Sequence, residues 1–557
     1  MKQHSFLTAL CLLFAAVPIT GQTIKSSMEF APSEHWVKPV EKPYREEICL
    51  NGTWAFAPVQ LPVGFKEGET PAPALPGVNE VTFSKTPIRI PSPWNVNSFA
   101  DKNGLGGDHR TYPSYTKEWE SIKMGWLQKK FTVPASWKGK RIQIHFEAVA
   151  GKTDIYVNGK AVGDNFDIFM PFDIDITDAV KFGQENTLNV GIQKSSLFDD
   201  RKSPLGRRTY QGGSFWGQHI AGIWQDVYLV ALPQTRVADV YIQPIVNKNT
   251  LEVEVTLRND ENKPVEVNIS AAAYPWISKA GKTVLTAANP SSQLGSQAAL
   301  QMPTQKVTIP AGKEIKTTLK TTVDNKLKLW SPSSPNLYGL VVKTSVNGKT
   351  NDSKYTRFGW RQTELKDGKF WLNGKPFVLK GDSWHYMGIP QMTRRYPWAW
   401  YTALRDANCN AVRLHAQPFP SFYLDVADEM GILVLDESAM WASDGGQKLG
   451  SEEFWKCSEE HMKQLVLRDR NHPSVFGWSV SNEIMPIIRG VMRNAPGLED
   501  NLVKHFKIWS DICFKYDPSR AWASADGEDD GRGLLPFYMV HYGGEGAMKR
   551  AYESGKP

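Results

Sequence analysis

The chain reads as a multidomain protein: one antiparallel β-sandwich, a second β-sandwich, and then a β/α barrel. Three observations predict this. At 557 residues the chain is too long for a single hydrophobic core. From about residue 45 to residue 348 it consists of short alternating apolar and polar segments broken by Gly, Asn, Asp and Pro, the pattern of antiparallel strands and tight turns. After Phe358-Gly359-Trp360-Arg361 the period changes, and apolar strands alternate with longer stretches of helical pattern.

Residues 1–22 stand apart from the fold. Lys2 and His4 precede a 12-residue apolar run, Phe6 to Val17, with small residues up to Gly21. This is the pattern of a secretory signal peptide, and the run is too short to span a bilayer. Cys11 lies inside the run after Leu10, which does not fit a lipid-anchor site. No later run approaches the ~18 apolar residues of a membrane helix, so a secreted or periplasmic protein without a membrane span is expected.

The first sandwich, residues 23–232, contains alternating runs at 126–133, 141–147 and 153–160, the last closing on an Asn158-Gly159 hairpin turn. The second, residues 233–348, includes the alternating run 251–257 and carries no catalytic cluster, so it reads as a spacer. Its segment 279–302, rich in Ser, Ala, Gly and Gln, is expected to be a flexible loop.

The barrel region, residues 349–557, has candidate strands at 377–383, 410–415, 432–437, 475–483, 521–526 and 537–542, about six strands of an eight-stranded barrel. Between them lie helical stretches at 398–407, 422–430, 452–470 and 502–516. Each strand ends in polar groups: Asp382 to His385, Arg413 and His415, Asp436 and Glu437, Asn482 and Glu483, Asp526, and His541 with Tyr542. A parallel barrel keeps its chemistry at that C-terminal rim, and six strand ends behaving alike argue for a site.

Composition narrows the chemistry. Aromatic residues reach 11% of the chain, with 20 Trp. Sugar rings present apolar faces that stack on indoles, so the excess over core needs points towards carbohydrate. The net charge of +7 is spread along the chain without a basic run, which excludes a nucleic-acid surface. Cys49, Cys409, Cys457 and Cys513 are widely spaced with no Cys-x-x-Cys, so neither a disulfide framework nor a zinc site is indicated.

The most informative stretch is Asn471-His472-Pro473-Ser474-Val475-Phe476-Gly477-Trp478-Ser479-Val480-Ser481-Asn482-Glu483. A buried β-prone run stops on an amide and a carboxylate, which suits a general acid/base beside a group that holds a substrate hydroxyl. The same two residues would also serve as a helix N-terminus, where Asn caps and Glu complements the dipole.

This stretch resembles the acid/base motif of glycoside hydrolase family 2, the group of β-galactosidases, β-glucuronidases and β-mannosidases, with Gly477 in place of an apolar residue. Segments 50–56, 91–94 and 222–229 look like that family's N-terminal jelly-roll domain, and 329–338 is similar to its immunoglobulin-like domain. The resemblance implies a retaining, exo-acting β-glycosidase, β-galactosidase-like, that removes terminal β-linked sugars from oligo- or polysaccharides by double displacement. It gives Glu483 the acid/base role and Asn482 the sugar 2-hydroxyl. Arg413 and Tyr542 would orient the nucleophile; His385, Asp436, Glu437 and His541 would line the first subsite; Trp384, Trp441 and Trp478 are candidates for a stacking wall. No cofactor is required, although a divalent ion near Glu437 occurs in some members. A homo-oligomer is left open.

Two departures stand out. The family's second-strand motif places a His three positions after the Arg; here Arg413-Leu414-His415 brings it one place early, so the sugar pocket should differ. The family's nucleophile is a Glu ending barrel strand seven, and no Glu occupies that position before Pro557. The nucleophile is therefore expected beyond residue 557, in a longer protein, with Glu545 the substitute that the chain itself offers. Two other readings stay open: a non-catalytic carbohydrate-binding protein, and an inverting hydrolase that pairs Glu483 with another carboxylate.

Overall fold

The computed structural model describes residues 35–557 apart from 70, 97–113, 201, 204–205, 279–291, 442–445, 491, 493–495, 526–532, 537–538 and 541–542. The first domain packs a four-stranded antiparallel sheet (Glu46–Cys49, Val227–Leu232, Arg141–Phe146, Phe172–Asp175) against a six-stranded one. Alternation decides which side chains go inward. In Lys152–Val157 every second residue is buried, and Ile155 and Val157 join Trp54, Phe56, Leu127, Ile144 and Leu188 in the core. The turn after this strand places Asn158 and Gly159 at φ 52° and 81°, as a two-residue hairpin of this kind requires.

The second domain is also a sandwich. A three-stranded sheet (Thr235–Ile245, Thr250–Asn259, Glu314–Thr322) faces a sheet built on the long strand Val265–Ser278 and on Tyr338–Val346 and Lys349–Phe358. Its core is Val253, Val255, Leu257, Val267, Ile269, Leu340 and Val342. The loop expected at 279–302 is only partly a loop. Ser292–Leu294 and Leu300–Gln301 are short strands that pair with Val265–Ser278, because that long strand offers edge groups that need partners. Residues 279–291 lie outside the described residues.

A small three-stranded hairpin (Thr363–Lys366, Lys369–Leu372, Lys375–Pro376) leads into the barrel. Its Phe370 and Leu372 pack against Ala411, Leu433, Leu435, Phe476 and Ala523. Five parallel strands follow in sequential order: one, Gly381–Trp384; two, Ala411–Leu414; three, Leu433–Glu437; four, Val475–Asn482; five, Ala521–Ala525. Helices Arg395–Asp406, Phe422–Met430, Glu452–Asp469 and Leu498–Tyr516 connect them. Strand four is buried at every position, as a central parallel strand covered on both faces must be.

Strand one starts at Gly381 rather than 377, because the Phe377 amide still bonds the Phe370 carbonyl of the entry hairpin. A strand over 537–542 is not formed at the positions described. Met539 and Val540 lie outside any strand, the Met539 side chain packs against the Phe370–Leu435 cluster, and the other four positions lie outside the described residues. Among the described residues the barrel therefore has five strands. No helix among them is long and apolar enough to cross a membrane.

The domains are joined by buried charges and by the first half of the 471–483 motif. Arg45 donates to both carboxylate oxygens of Asp352 at 2.9 and 2.7 Å, and the Val237 amide adds a bond to Asp352 at 2.8 Å. The Asn471 side chain completes the edge of the second sandwich by bonding the Val240 carbonyl and the Ile242 amide. His472 Nδ1 lies 2.7 Å from Asp428, whose other oxygen takes the Ser474 amide. Arg361 donates to the carbonyls of Pro473 and Val475. Asn471 therefore sets strand four against the second sandwich, Pro473 and Val475 set it against the Arg361 segment, and His472 and Ser474 tie it to helix Phe422–Met430 of the barrel.

Removing one partner of the buried Arg45–Asp352 pair strands the other charge, which typically costs ~3–5 kcal/mol. Arg45→Met should therefore lower the calorimetric melting temperature, and adding Asp352→Asn to it should recover part of the loss.

Candidate active site

Strand three shows how this region sorts its side chains. Successive residues face opposite sides, so Leu433, Leu435 and Glu437 point into the barrel while Val434 and Asp436 point to the helices. Asp436 is buried beside Asp469 and Arg468 of helix Glu452–Asp469. Burial first, and then the Asp469 carboxylate, push its pKa well above the usual carboxylate range. The expected place of Asp436 in the sugar subsite is therefore corrected: it belongs to the strand–helix layer. Trp478 is in register with Asp436 and is corrected for the same reason, since its fully buried indole packs in the helix-facing core with the Arg520 guanidinium 5.8 Å from its ring.

The inward-facing set converges. Arg413, at the end of strand two, donates one Nη to both oxygens of Glu437 at 2.8 and 2.9 Å and to Asn482 Oδ1 at 2.8 Å. Glu437 is fully buried, and its oxygens also accept from Ser479 Oγ and from the Ala416 amide, both at 2.6 Å. A buried carboxylate needs this many donors to offset its lost hydration. Since Asn482 Oδ1 is taken by Arg413, its Nδ2 must act as donor, and that buried nitrogen has no hydrogen-bond partner among the described residues.

Glu483 follows at φ 58°, in the left-handed region that a branched or long side chain rarely adopts. The strand ends at Asn482 and helix Ile484–Gly490 begins directly after Glu483. The left-handed step turns the chain between the two and leaves the Glu483 carboxylate half-buried rather than in the sheet. Trp441, on the loop after strand three, donates its indole N–H to Glu483 Oε2 at 3.2 Å. Its ring also lies edge-on to His415, whose centroid is 4.1 Å from that of His385. Trp384 is partly exposed and lies against Trp400, on the other side of strand one from Ser383.

The structure thus brings together Arg413, Glu437, Asn482, Glu483, Trp441, His385 and His415. Glu545 is exposed in the first turn of the last helix, Glu545–Glu553, where a carboxylate complements the helix dipole. Asp526, His541 and Tyr542 lie outside the described residues. Ser479 is a site-forming residue that the sequence reading did not single out; its place in the inward register opposite Glu437 was the available signal.

As for metals, both oxygens of Glu437 are already occupied by protein donors. Asp425, Asp428 and His472 come close enough together to share an ion by donor type, but Arg357 pairs with both carboxylates.

The comparisons with known proteins agree with this architecture. Residues 48–233, 235–361 and 363–520 match, in turn, the sugar-binding domain, the central domain and the TIM-barrel domain of Glycosyl hydrolases family 2. A β-galactosidase of Thermoanaerobacter pseudethanolicus is 29% identical over 427 residues, covering 74% of this chain and 50% of that protein. A β-glucuronidase of Formosa agariphila is 27% identical over 431 residues, covering 72% of this chain and 39% of that protein. The crystal structure of a Bacteroides uniformis β-glucuronidase superposes with a TM-score of 0.64 at 18% identity, over 86% of this chain and 52% of that one. This chain spans about half the length of the curated relatives it matches.

Burial, and then the Arg413 charge, lower the His385 pKa, with Glu483 opposing them. The neutral ring is thus the favoured form in the folded state. The stability this group contributes is full above its unfolded value of about 6.5 and is lost as pH falls through the folded value. The imidazole resonances of His385 should accordingly titrate below pH ~6.5 in an NMR titration. A midpoint at or above that value would contradict this. With all three domain types matched in order and the strand-end cluster in place, the chain belongs to glycosyl hydrolases family 2.

Proposed function

We propose that this chain carries the acid/base half of a retaining, exo-acting β-glycosidase, β-galactosidase-like, that releases terminal β-linked sugars from oligo- or polysaccharides. The observation that carries this reading is the adjacency of a half-buried Glu483, held by the Trp441 indole, and a buried Asn482 amide whose nitrogen has no partner among the described residues. The names of the relatives, β-galactosidase and β-glucuronidase, support the reaction class.

In the first step Glu483 transfers a proton to the glycosidic oxygen while a second carboxylate attacks the anomeric carbon, so the C–O bond to the leaving group breaks as the glycosyl–enzyme bond forms. In the second step Glu483 takes a proton from water, which displaces the enzyme carboxylate and regenerates the acid. The Asn482 Nδ2–H bonds the 2-hydroxyl, and Trp441 fixes the direction in which Glu483 presents its proton. The second carboxylate is assigned to a Glu outside the five described strands, about 5–5.5 Å from Glu483 as retention demands. Glu437 is not that group, because Arg413, Ser479 and the Ala416 amide already hold it with four hydrogen bonds. The chemistry calls for no cofactor, and residues 1–22 are assigned as a leader for secretion or the periplasm.

The test is hydrolysis of a panel of nitrophenyl β-glycosides, β-galactoside and β-glucuronide included. Loss of a general acid/base typically costs 10²–10⁴-fold, so Glu483→Gln should lower turnover by about that factor. Equal turnover by parent and variant would refute the reading. Where the protein tested includes the segment that supplies the second carboxylate, an inactive parent that binds the same sugars would favour the non-catalytic carbohydrate-binding alternative. Trp441→Phe, which removes one hydrogen bond to a charged group, should cost about tenfold in kcat.

A further inference from the structure

The Trp441 indole can meet Glu483 only if the loop after strand three is held in one conformation. Ser438 begins that loop with its amide on the Ser479 carbonyl at 3.0 Å and its hydroxyl on the Val480 carbonyl at 2.6 Å. Ala439 is held from outside the barrel sheet on both of its polar groups. Its carbonyl accepts from the Gly213 amide of the first domain at 3.2 Å, and its amide donates to His461 Nε2 at 3.0 Å.

His461 is a fully buried residue of helix Glu452–Asp469. Its other ring nitrogen lies 2.6 Å from Asp167 Oδ2. A ring that accepts at Nε2 must carry its proton at Nδ1 and donate it to Asp167, so the carboxylate selects the tautomer that Ala439 needs. Asp167 belongs to the first domain, in the loop between strands Lys160–Asn165 and Phe172–Asp175. The other Asp167 oxygen accepts from the amides of Phe169 at 2.9 Å and Met170 at 3.1 Å, which fixes the carboxylate before it meets the ring. Burial works to raise the Asp167 pKa, but His461 and those amides hold it below the usual carboxylate range.

We infer that Asp167 and His461 are positioning residues for the acid/base: through the Ala439 amide, the first domain sets where Trp441 meets Glu483. The inference rests on the proposed role of Glu483. It makes the first domain a working part of the site, 294 residues away in sequence from the histidine it orients.

Two substitutions separate this role from that of a simple tie between domains. His461→Asn keeps a donor where Nδ1–H faced Asp167 but removes the acceptor for Ala439. His461→Gln puts an amide oxygen near the former Nε2 position but loses the donor to Asp167. The positioning role predicts that the Asn variant loses about tenfold in kcat, the worth of one such hydrogen bond, at little change in KM, while the Gln variant is closer to the parent. A domain tie alone predicts the reverse order, and that order, or equal losses, would overturn the inference.

A second readout does not need turnover. The Trp441 indole N–H resonance, assigned by its disappearance in Trp441→Phe, should shift in Glu483→Gln and in His461→Asn and stay near the parent position in His461→Gln. A resonance that responds to Glu483→Gln but not to His461→Asn would overturn the inference on its own, whether or not the chain turns over. If both His461 variants fail to fold, Asp167→Asn should shift the same resonance, and an unmoved resonance there would overturn it equally.

Discussion

Glu437 is a carboxylate with no exposed surface inside a barrel lined by Leu433, Leu435, Phe476 and Ala523. Taking such a charge out of water costs several kcal/mol, and only a fully satisfied set of partners offsets that cost. The partners come from the two strands that flank strand three: Arg413 and the Ala416 amide from the end of strand two, and Ser479 from strand four. Because the geometry of all these bonds must hold at once, the three strand ends cannot slide relative to one another. Arg413 also donates to the Asn482 oxygen, which leaves the buried Asn482 amide nitrogen as a donor with no partner among the described residues. Glu483 inherits its place from Asn482 and from the left-handed turn that follows.

The 471–483 stretch does two kinds of work at the two ends of one strand. Asn471, His472, Pro473 and Ser474 meet the preceding sandwich, Asp428 and Arg361, and they fix where strand four begins. Asn482 and Glu483 stand eight residues of buried strand further on, where the site is. The polar residues at both ends are explained by contacts, and only those at the second end stand beside Arg413, Glu437 and Trp441. The same division appears among the domains. Arg45, Arg357 and Arg361 carry the joints between them, while the loops carrying Gly213 and Asp167 reach across to Ala439 and His461 beside the strand ends.

Much of this was legible in the sequence. The change of period after Arg361 located the barrel, and polar residues at the ends of apolar runs pointed to Arg413, Glu437, Asn482 and Glu483. Asp436 and Trp478 were misplaced because a polar or aromatic residue near a strand end was taken as rim-facing without asking its parity. Two neighbours in a strand cannot both face inward, and once Glu437 does, Asp436 and its register partner Trp478 do not. The 537–542 strand could not be judged from its apolar residues alone, since a strand also needs a partner to pair with. The Asp167–His461 link was illegible for a different reason: a lone buried histidine on an amphipathic helix looks like core, and only folding brings the distant carboxylate to it.

The central claim is that Glu483 and Asn482 face the anomeric end of a β-linked sugar. A crystal structure of the protein soaked with a β-galactoside-mimicking iminosugar tests it most directly. The account predicts the ligand's anomeric position within hydrogen-bonding distance of the Glu483 carboxylate, with the Asn482 amide nitrogen on the neighbouring hydroxyl or its equivalent. A ligand bound elsewhere, or bound at the strand ends with its non-reducing hydroxyls against Glu483, would contradict it.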